Sequence, residues 1–545
     1  VIAGVVHRDL NGTFWFDDRP VRGPEDIPSG RAWAGTVWYA APGIHSYEWA
    51  SLLREGDVAF GPSPGEVMGC KIRTGAAGRG TIRVLDSRCW GVPDRDPNVC
   101  FREIQSIRAQ ARACDLEPKN SAAATAISAW MDRFDGKDDR VSLRQLPPRW
   151  RGLAHACMHA GPAAVLRASA PFAVHIDRKK AYLAALREPM PVLGLRHEGK
   201  SGGFYTHDDR RWSKIRKLEG FVEAQVRISG DPNDPAGLPS LPVHATCGTI
   251  YPKGFVRGTW TIRAVREAED RGEVEVVSVE QFAYAPATEP IFAELADLFE
   301  QLPQPLQKRL YTRFWGKLGS RGGYVATKSA EPISGAIPAS GLWWAWEGIE
   351  PWSPKARPTY RPDIAAFVLD ANQRAVFRDL RRLAPGSVVA THVDAIWTTD
   401  LVGASTLIAE GSGQTGSWRS KRHGPIRFYG IGMYAHGDRL ACSGYNPVSR
   451  GPLTPETLAA FVRSTEGSQG RNLLLAREWS ADPITDASAT SRPLVCDLSH
   501  HLPVDGPDVY SEDWTPGGWY RQADEMLARQ AFAVDEPRDA MVAAG

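Results

Sequence analysis

Three segments carry the side chains best suited to chemistry: HIDRKKAYLAAL (175–186), LQKRLYTRFWGKLGSRGGY (306–324) and VVATHVDAIWTTD (388–400). The first has the pattern of a strand ending at Asp177 and running into a helix. The second is a helix bearing Lys308, Arg309, Arg313 and Lys317, and the third a hairpin with Asp394 near its turn. Two carboxylates from distant segments beside a cationic helix suit phosphoryl transfer. Carboxylates bind Mg²⁺, and two ions about 3.5–4 Å apart stabilise both the attacking and the leaving oxygen. Residues 309, 313 and 317 share a helical face, with Lys308 beside them, so this face is expected to grip a triphosphate. Taken singly each residue is ordinary. Asp177 would cap a helix, Asp394 would serve a turn, Tyr182 would fill a core, and the cations would face water. Together, in this order, they point to template-directed nucleotidyl transfer.

A fourth segment interleaves cations and aromatics: Trp418, Arg419, Lys421, Arg422, His423, Arg427 and Tyr429. Such a stretch can track a phosphodiester backbone, although a solvated basic loop is the plainer alternative. The net charge of +2 settles nothing, so local clusters must decide. Eight cysteines without any C-x-x-C argue against a zinc ribbon or disulfide framework, and reduced thiols in a cytosolic setting are expected. No G-x-G-x-x-G, Walker loop or nucleophile elbow is present, which disfavours a dinucleotide enzyme, P-loop NTPase or hydrolase. No apolar run approaches the roughly 18 residues that cross a bilayer. The first residues, VIAGVVHRDL, lack the basic start of a signal peptide.

At 545 residues several structural units must position these groups. Residues 1–115 alternate short apolar strands with turns, as in a small mixed α/β domain. A helix over Ser121–Arg133 and a polar connector, Asp135–Arg144, follow. PFAVHI (171–176) leads into Asp177. GFVEAQVRIS, GTWTIRAVREAEDRG and VEVVSVEQFAYAP then suggest strand, strand-to-helix and strand. Pro303 and Pro305 separate two helices, and the second starts at Leu306. Residues 319–358 form a long insertion, expected to pack on itself or on a ligand, with Trp343, Trp344 and Trp346 at its centre. A well-patterned helix (363–383) precedes the Asp394 hairpin. The remainder holds helices near Pro455–Arg463 and Gly518–Ala533.

With the elements laid out, the motifs resemble those of family B DNA polymerases, especially the protein-primed branch of small phages and linear plasmids. HIDRKKAY is similar to D-x-x-S-L-Y. The likeness makes Asp177 a catalytic metal ligand, the Arg178 carbonyl its helper, and Tyr182 the ring that excludes a 2′-OH. KRLYTRFWGK is similar to K-x-x-x-N-x-x-Y-G-K. It implies nucleotide contacts from Lys308, Thr312, Arg313 and Lys317, with Thr312 and Trp315 replacing Asn and Tyr. HVDAIWT is similar to D-T-D-S-I, with Asp394 as the second catalytic ligand and His392 in place of the first aspartate. IRFYGIG is similar to K-x-Y, so Arg427 and Tyr429 would hold the primer terminus. MHAGP (158–162) is similar to Y-x-G-G, which places His159 and Gly161 at the template; His392, Arg419 and Lys421 join this primer–template set.

The resemblance covers about residues 150–450. It implies an α+β right-hand polymerase with antiparallel palm, helical fingers and thumb, preceded by an RNase H-like exonuclease-type domain. The expected boundaries are 1–150 for a degenerate exonuclease-like domain, 151–284 for the first palm part and 285–325 for fingers. A Trp-rich insertion (326–358), second palm part (359–430) and thumb with C-terminal region (431–545) follow. No D-x-E motif occurs in the first domain, and Asp17, Asp18 and Asp86 do not restore one, so proofreading is expected to be lost. The implied cofactors are two Mg²⁺ ions, with Mn²⁺ as the alternative. The implied partners are a DNA primer-template, dNTPs and a terminal priming protein, without a membrane, in a bacterial cytoplasm or nucleoid. Two alternatives stay open: a weak or inactive nucleic-acid-binding pseudo-polymerase, and a primase or RNA-synthesising relative.

Overall fold

The computed structural model describes most of residues 2–442, together with 452–458 and 497–498. The longer stretches outside the description are 42–51, 62–68, 75–79, 136–147, 192–210, 230–237, 332–336, 348–358, 443–451, 459–496 and 499–545. Two compact units emerge, one of residues 1–138, 143–145 and 297–360, the other of 139–142, 146–296 and 361–545. This division differs from the expected boundaries, because it groups 297–360 with the N-terminal residues.

The first unit is built on a ten-stranded sheet. Its order is Ile337–Ser340, Trp343–Glu347, Tyr324–Lys328, Val58–Gly61, Gly69–Thr74, Gly80–Asp86, Val37–Ala40, Ile2–Arg8, Phe14–Phe16, Arg19–Val21. Val37–Ala40 lies parallel to both its neighbours and the other pairs are antiparallel. Val6, Phe14, Phe16, Trp38, Ile72, Ile82 and Val84 form one buried cluster on this sheet, as period-2 alternation requires. Helix Pro97–Ala113 starts with Pro in its first turn, and the Asp96 carboxylate accepts from Asn98 N and Val99 N. Ser121 caps Ala122–Trp130 in the same way. The cationic helix Gln304–Leu318 belongs to this unit, where Phe314 packs edge-on against Trp130 at 5.9 Å and against Phe299. The insertion packs on itself, Trp343–Glu347 pairing with both Tyr324–Lys328 and Ile337–Ser340, and it also continues the N-terminal sheet, Tyr324–Lys328 satisfying backbone groups that Val58–Gly61 would leave unpaired as an edge strand. The side chains of its tryptophans lie outside the described residues.

The second unit holds the carboxylate segments in a seven-stranded sheet with every neighbouring pair antiparallel. Its order is Arg439–Cys442, Met433–His436, Trp418–Gly430, Ser169–Arg178, Ala395–Thr398, Val388–His392, Ala163–Val165. Ile176, Ile396 and Trp418 from this sheet bury against Val376 of helix Pro362–Leu380 and Ala404 and Leu407 of helix Leu401–Ala409. The Trp418 indole N–H donates to Asp379 Oδ2 at 2.8 Å, tying the basic strand to the longer helix without an orphaned donor. A second sheet has Glu219–Ile228 between Val274–Ala285 and Lys253–Thr261, and short Asp497–Leu498 adds parallel to the last. Thr261 caps the following helix, Ile262–Asp270, by accepting from Ala264 N. Most of 431–545, including the helix expected over Gly518–Ala533, lies outside the described residues. Among the described residues no helix is long and apolar enough to cross a membrane.

Candidate active site

Asp177 ends the central strand Ser169–Arg178 and lies opposite Ala395 in the ladder, next to Asp394 at the hairpin tip. The Arg178 backbone N donates to the Asp394 carbonyl at 2.9 Å and fixes that register. Both carboxylates line one pocket of about 500 Å³, shared with His175, His392, Trp397, Tyr434, Arg439 and Cys442. Burial, then the charge of Asp177, pushes the Asp394 carboxyl up to about 6. Burial and the Asp394 charge likewise raise the Tyr182 phenol, so the sequence-predicted ring sits within electrostatic reach of the second carboxylate. Asp177, Asp394 and His392 are thus brought together on one pocket. The Arg178 guanidinium is buried, donating to Gly416 O at 3.1 Å and Asn372 Oδ1 at 3.0 Å, and so braces the strand end.

The hairpin tip is strained. Asp394 N donates to His392 O at 2.8 Å around Val393, whose φ is +61°. A three-residue turn with positive φ at its centre is the rare form, and a β-branched residue makes it costlier. Neighbours hold it in place. Val393 N donates to Pro162 O at 2.7 Å, and a Cβ added at Gly161 would meet Val393 Cα at 2.9 Å. Gly161 therefore seats the hairpin. His159 is buried, with Nε2 bonded to Thr259 O at 2.9 Å, and burial lowers its pKa to about 4. A ring so enclosed offers no surface to a template strand, which corrects the template role expected of it.

The basic strand Trp418–Gly430 runs antiparallel beside Asp177, with Arg419 directly opposite. Asp177 Oδ2 accepts from Arg419 Nη2 at 2.9 Å and Nε at 3.2 Å, and Lys421 Nζ lies 3.2 Å from the same oxygen. The register slips between Ser420 and Arg422, leaving Lys421 as the extra residue of a bulge, a device that re-aims side chains near sites. Arg422 pairs instead with Asp438. Arg427 stands opposite Ser169, eight strand positions from Asp177 and thus on the order of 25 Å away. The side chain of Tyr429 lies outside the described residues.

The cationic helix also departs from expectation. Arg309 bonds Glu103, and Arg313 Nη2 donates to Arg88 O at 2.9 Å, both within the first unit. Burial lowers the Arg313 pKa from the usual guanidinium value. Arg309 and Arg313 thus have partners inside their own unit, beside the buried face of Leu310, Phe314 and Leu318, and Lys317 is half-buried. Lys308 is exposed, and the Thr312 hydroxyl donates back to its carbonyl at 2.6 Å.

Other acids serve the backbone or a neighbouring arginine. Asp400 accepts from Gly403 N and Ala384 N, Asp370 pairs with Arg374, Asp17 accepts from Val5 N, and Asp86 bonds Arg88. Among the pocket residues that the sequence reading missed are His175, Trp397, Tyr434 and Arg439. His175 is two residues before Asp177 and so shares its face, a signal that period-2 alternation offered. Its ring stacks on Trp397 at 4.2 Å, and burial lowers its pKa to about 4. Tyr434 and Arg439 arrive through a meander whose pairing no local motif announces.

Divalent ions fit this donor set. Two hard carboxylates face one pocket, their mutual repulsion is visible in the raised Asp394 value, and cationic side chains already sit on Asp177. Among the described residues no three His, Cys, Asp or Glu side chains form a cage. Mg²⁺ suits such a site, since it takes few protein ligands and completes its shell with water and phosphate oxygens.

No family model matches the chain, and no curated protein matches it. Solved structures do. The orthorhombic crystal form of Phi29 DNA polymerase superposes with a TM-score of 0.56 at 10% identity, over 77% of this chain and 86% of that one. Phi29 DNA polymerase complexed with primer-template DNA and incoming nucleotide substrates gives 0.57 at 11% identity, over 78% and 87%. The complex with single-stranded DNA gives 0.56 at 12%, over 78% and 87%. The chain has the α+β right-hand polymerase fold of these structures.

Proposed function

We propose that this protein is a DNA-directed DNA polymerase that extends a primer 3′-OH with dNTPs and does not proofread. The observation that carries the reading is the convergence of Asp177 and Asp394, distant in sequence, on one pocket in an antiparallel sheet. The structures of the same fold were solved with primer-template DNA and nucleotides, which supports those two partners. Two Mg²⁺ ions, or Mn²⁺, held by Asp177, Asp394 and the Arg178 carbonyl would neutralise charge on the attacking 3′-oxygen and the leaving pyrophosphate. The chain's own work is positioning. The strained hairpin sets Asp394, Tyr182 crowds the sugar C2′ position against ribose, and Lys308 contacts the triphosphate. Priming from a terminal protein hydroxyl, a phage or mobile-element origin and a bacterial cytoplasmic setting belong to the same proposal and rest on resemblance. Primer extension by Asp177→Asn and Asp394→Asn variants tests it. Both should lose activity while folding normally, and normal extension by either removes the assignment.

A second reading, nucleic-acid binding without turnover, is favoured by one observation: Asp177 already carries two cationic partners. Extension assays in Mg²⁺ and Mn²⁺ separate the two. No product in either ion, alongside tight DNA binding, supports the second.

A further inference from the structure

Arg419 and Lys421 are arranged to do more than neutralise a carboxylate. Asp177 Oδ2 accepts two N–H groups from Arg419, and the Lys421 ammonium forms an ion pair with the same oxygen at 3.2 Å. A carboxylate oxygen offers about two lone-pair directions, so this oxygen is saturated. The two cations are 50% and 41% exposed, whereas the Asp177 side chain is 18% exposed. Ion pairs at such exposure contribute little, so they are easily exchanged. A divalent ion on the same oxygen would stand close to two positive groups, and coexistence would be strongly repulsive.

We infer that Arg419 and Lys421 form a displaceable latch on Asp177, coupling divalent-ion binding at the carboxylates to engagement of nucleic-acid phosphate. The inference rests on the polymerase reading of the same site. When phosphodiester oxygens draw the two long side chains away, Oδ2 is released to the ion. When an ion takes Oδ2, the cations turn outward to phosphate. Linkage makes the two effects equal in size. Lys421 is the extra residue of the bulge, two positions beyond Arg419, and its ammonium reaches the same oxygen. Arg419 and Lys421 are in this sense positioning residues.

The test measures Mn²⁺ affinity of the full chain by the electron paramagnetic resonance of free Mn²⁺. It is run with and without a hairpin primer-template carrying a 3′-dideoxy end, so that no turnover occurs. The wild-type protein should bind Mn²⁺ about tenfold more tightly with DNA present. The double variant Arg419→Gln/Lys421→Gln should bind Mn²⁺ about tenfold more tightly than wild type without DNA, and DNA should add less than twofold. Its DNA affinity should fall less steeply with salt, by about two counterions. Lys421→Arg should keep the wild-type coupling. If the double variant gains no Mn²⁺ affinity, or keeps the full DNA effect, the latch is overturned. Asp177→Asn and Asp394→Asn are run alongside. Loss of Mn²⁺ binding in both leaves the polymerase reading standing whatever the latch result. Wild-type binding in both overturns that reading and the latch with it.

Discussion

The ten-stranded and seven-stranded sheets place acidic residues at comparable positions, yet only one collects them. In the first unit Asp17 accepts from Val5 N, Asp86 caps the turn at Arg88, and Asp96 caps a helix. Each carboxylate is consumed by nearby backbone N–H groups. In the second unit Asp177 and Asp394 face one pocket, and burial, then the charge of Asp177, leaves Asp394 raised to about 6. The candidate site thus depends less on having acids at strand ends than on bringing two of them, from distant segments, to one pocket.

The sharpest way to break this contrast is to remove acids from both sheets. Asp177→Asn and Asp394→Asn should each lower primer extension at least ~10³-fold, the loss expected for groups acting on transition-state charge. Asp86→Asn and Asp17→Asn should leave extension unchanged and cost about 1 kcal/mol in thermal melts. Equal losses of activity in both sets would end the comparison.

A smaller effect separates the cations. Lys308→Ala should raise the dNTP KM about tenfold, consistent with losing roughly 1.4 kcal/mol of charge-assisted binding. Arg313→Ala should instead lower the melting temperature, because it removes the bond to Arg88 O. A KM effect as large for Arg313 as for Lys308 would assign Arg313 to nucleotide binding.

Gly161→Ala tests the hairpin seat. Displacing Val393 should slow extension on the order of tenfold with DNA affinity unchanged, since misplacement of a reacting group costs rate. An unchanged rate would show that the seat is dispensable.

The pH dependence follows from Asp394. Its folded value lies above the ordinary carboxylate value, so the fold favours the protonated form. The stability contribution is complete below about 4 and is lost as pH rises through about 6, on the order of 2 kcal/mol. Ion binding has the opposite sign, rising as pH passes about 6. Asp394→Asn should flatten the stability profile between these values, measured by denaturant melts at each pH. A profile unchanged by the substitution would sink the assignment. The smallest effect is Val393→Gly, expected to stabilise by about 1 kcal/mol through relief of the positive φ, read as a shift in the denaturation midpoint.

Much of the framework of the candidate site was legible because its signals are local. The alternation before Asp177, the hairpin pattern around Asp394 and the helical spacing of 363–383 each specify an element within a few residues, and the elements meet through an antiparallel ladder. What failed was non-local. Cations at helical spacing on 309, 313 and 317 said nothing about which neighbour that face meets, and Glu103 is far away in sequence. A bulge at Lys421 is not announced by any local pattern, and pairing of Arg419 and Lys421 with the carboxylate emerged only from the strand register. His159 matched a template element by position, and only packing against Thr259 revealed its enclosure.

The strand Tyr324–Lys328, joined to Val58–Gly61, sets a timetable for the newborn chain. Roughly 270 residues separate the partners, so at about 5–20 residues per second the ribosome needs on the order of 15–60 s to deliver the missing neighbour. Throughout that interval the early sheet presents a bare border to other nascent polypeptides. Fragments ending before residue 324 should accordingly clump during expression, whereas the whole chain closes its own seam.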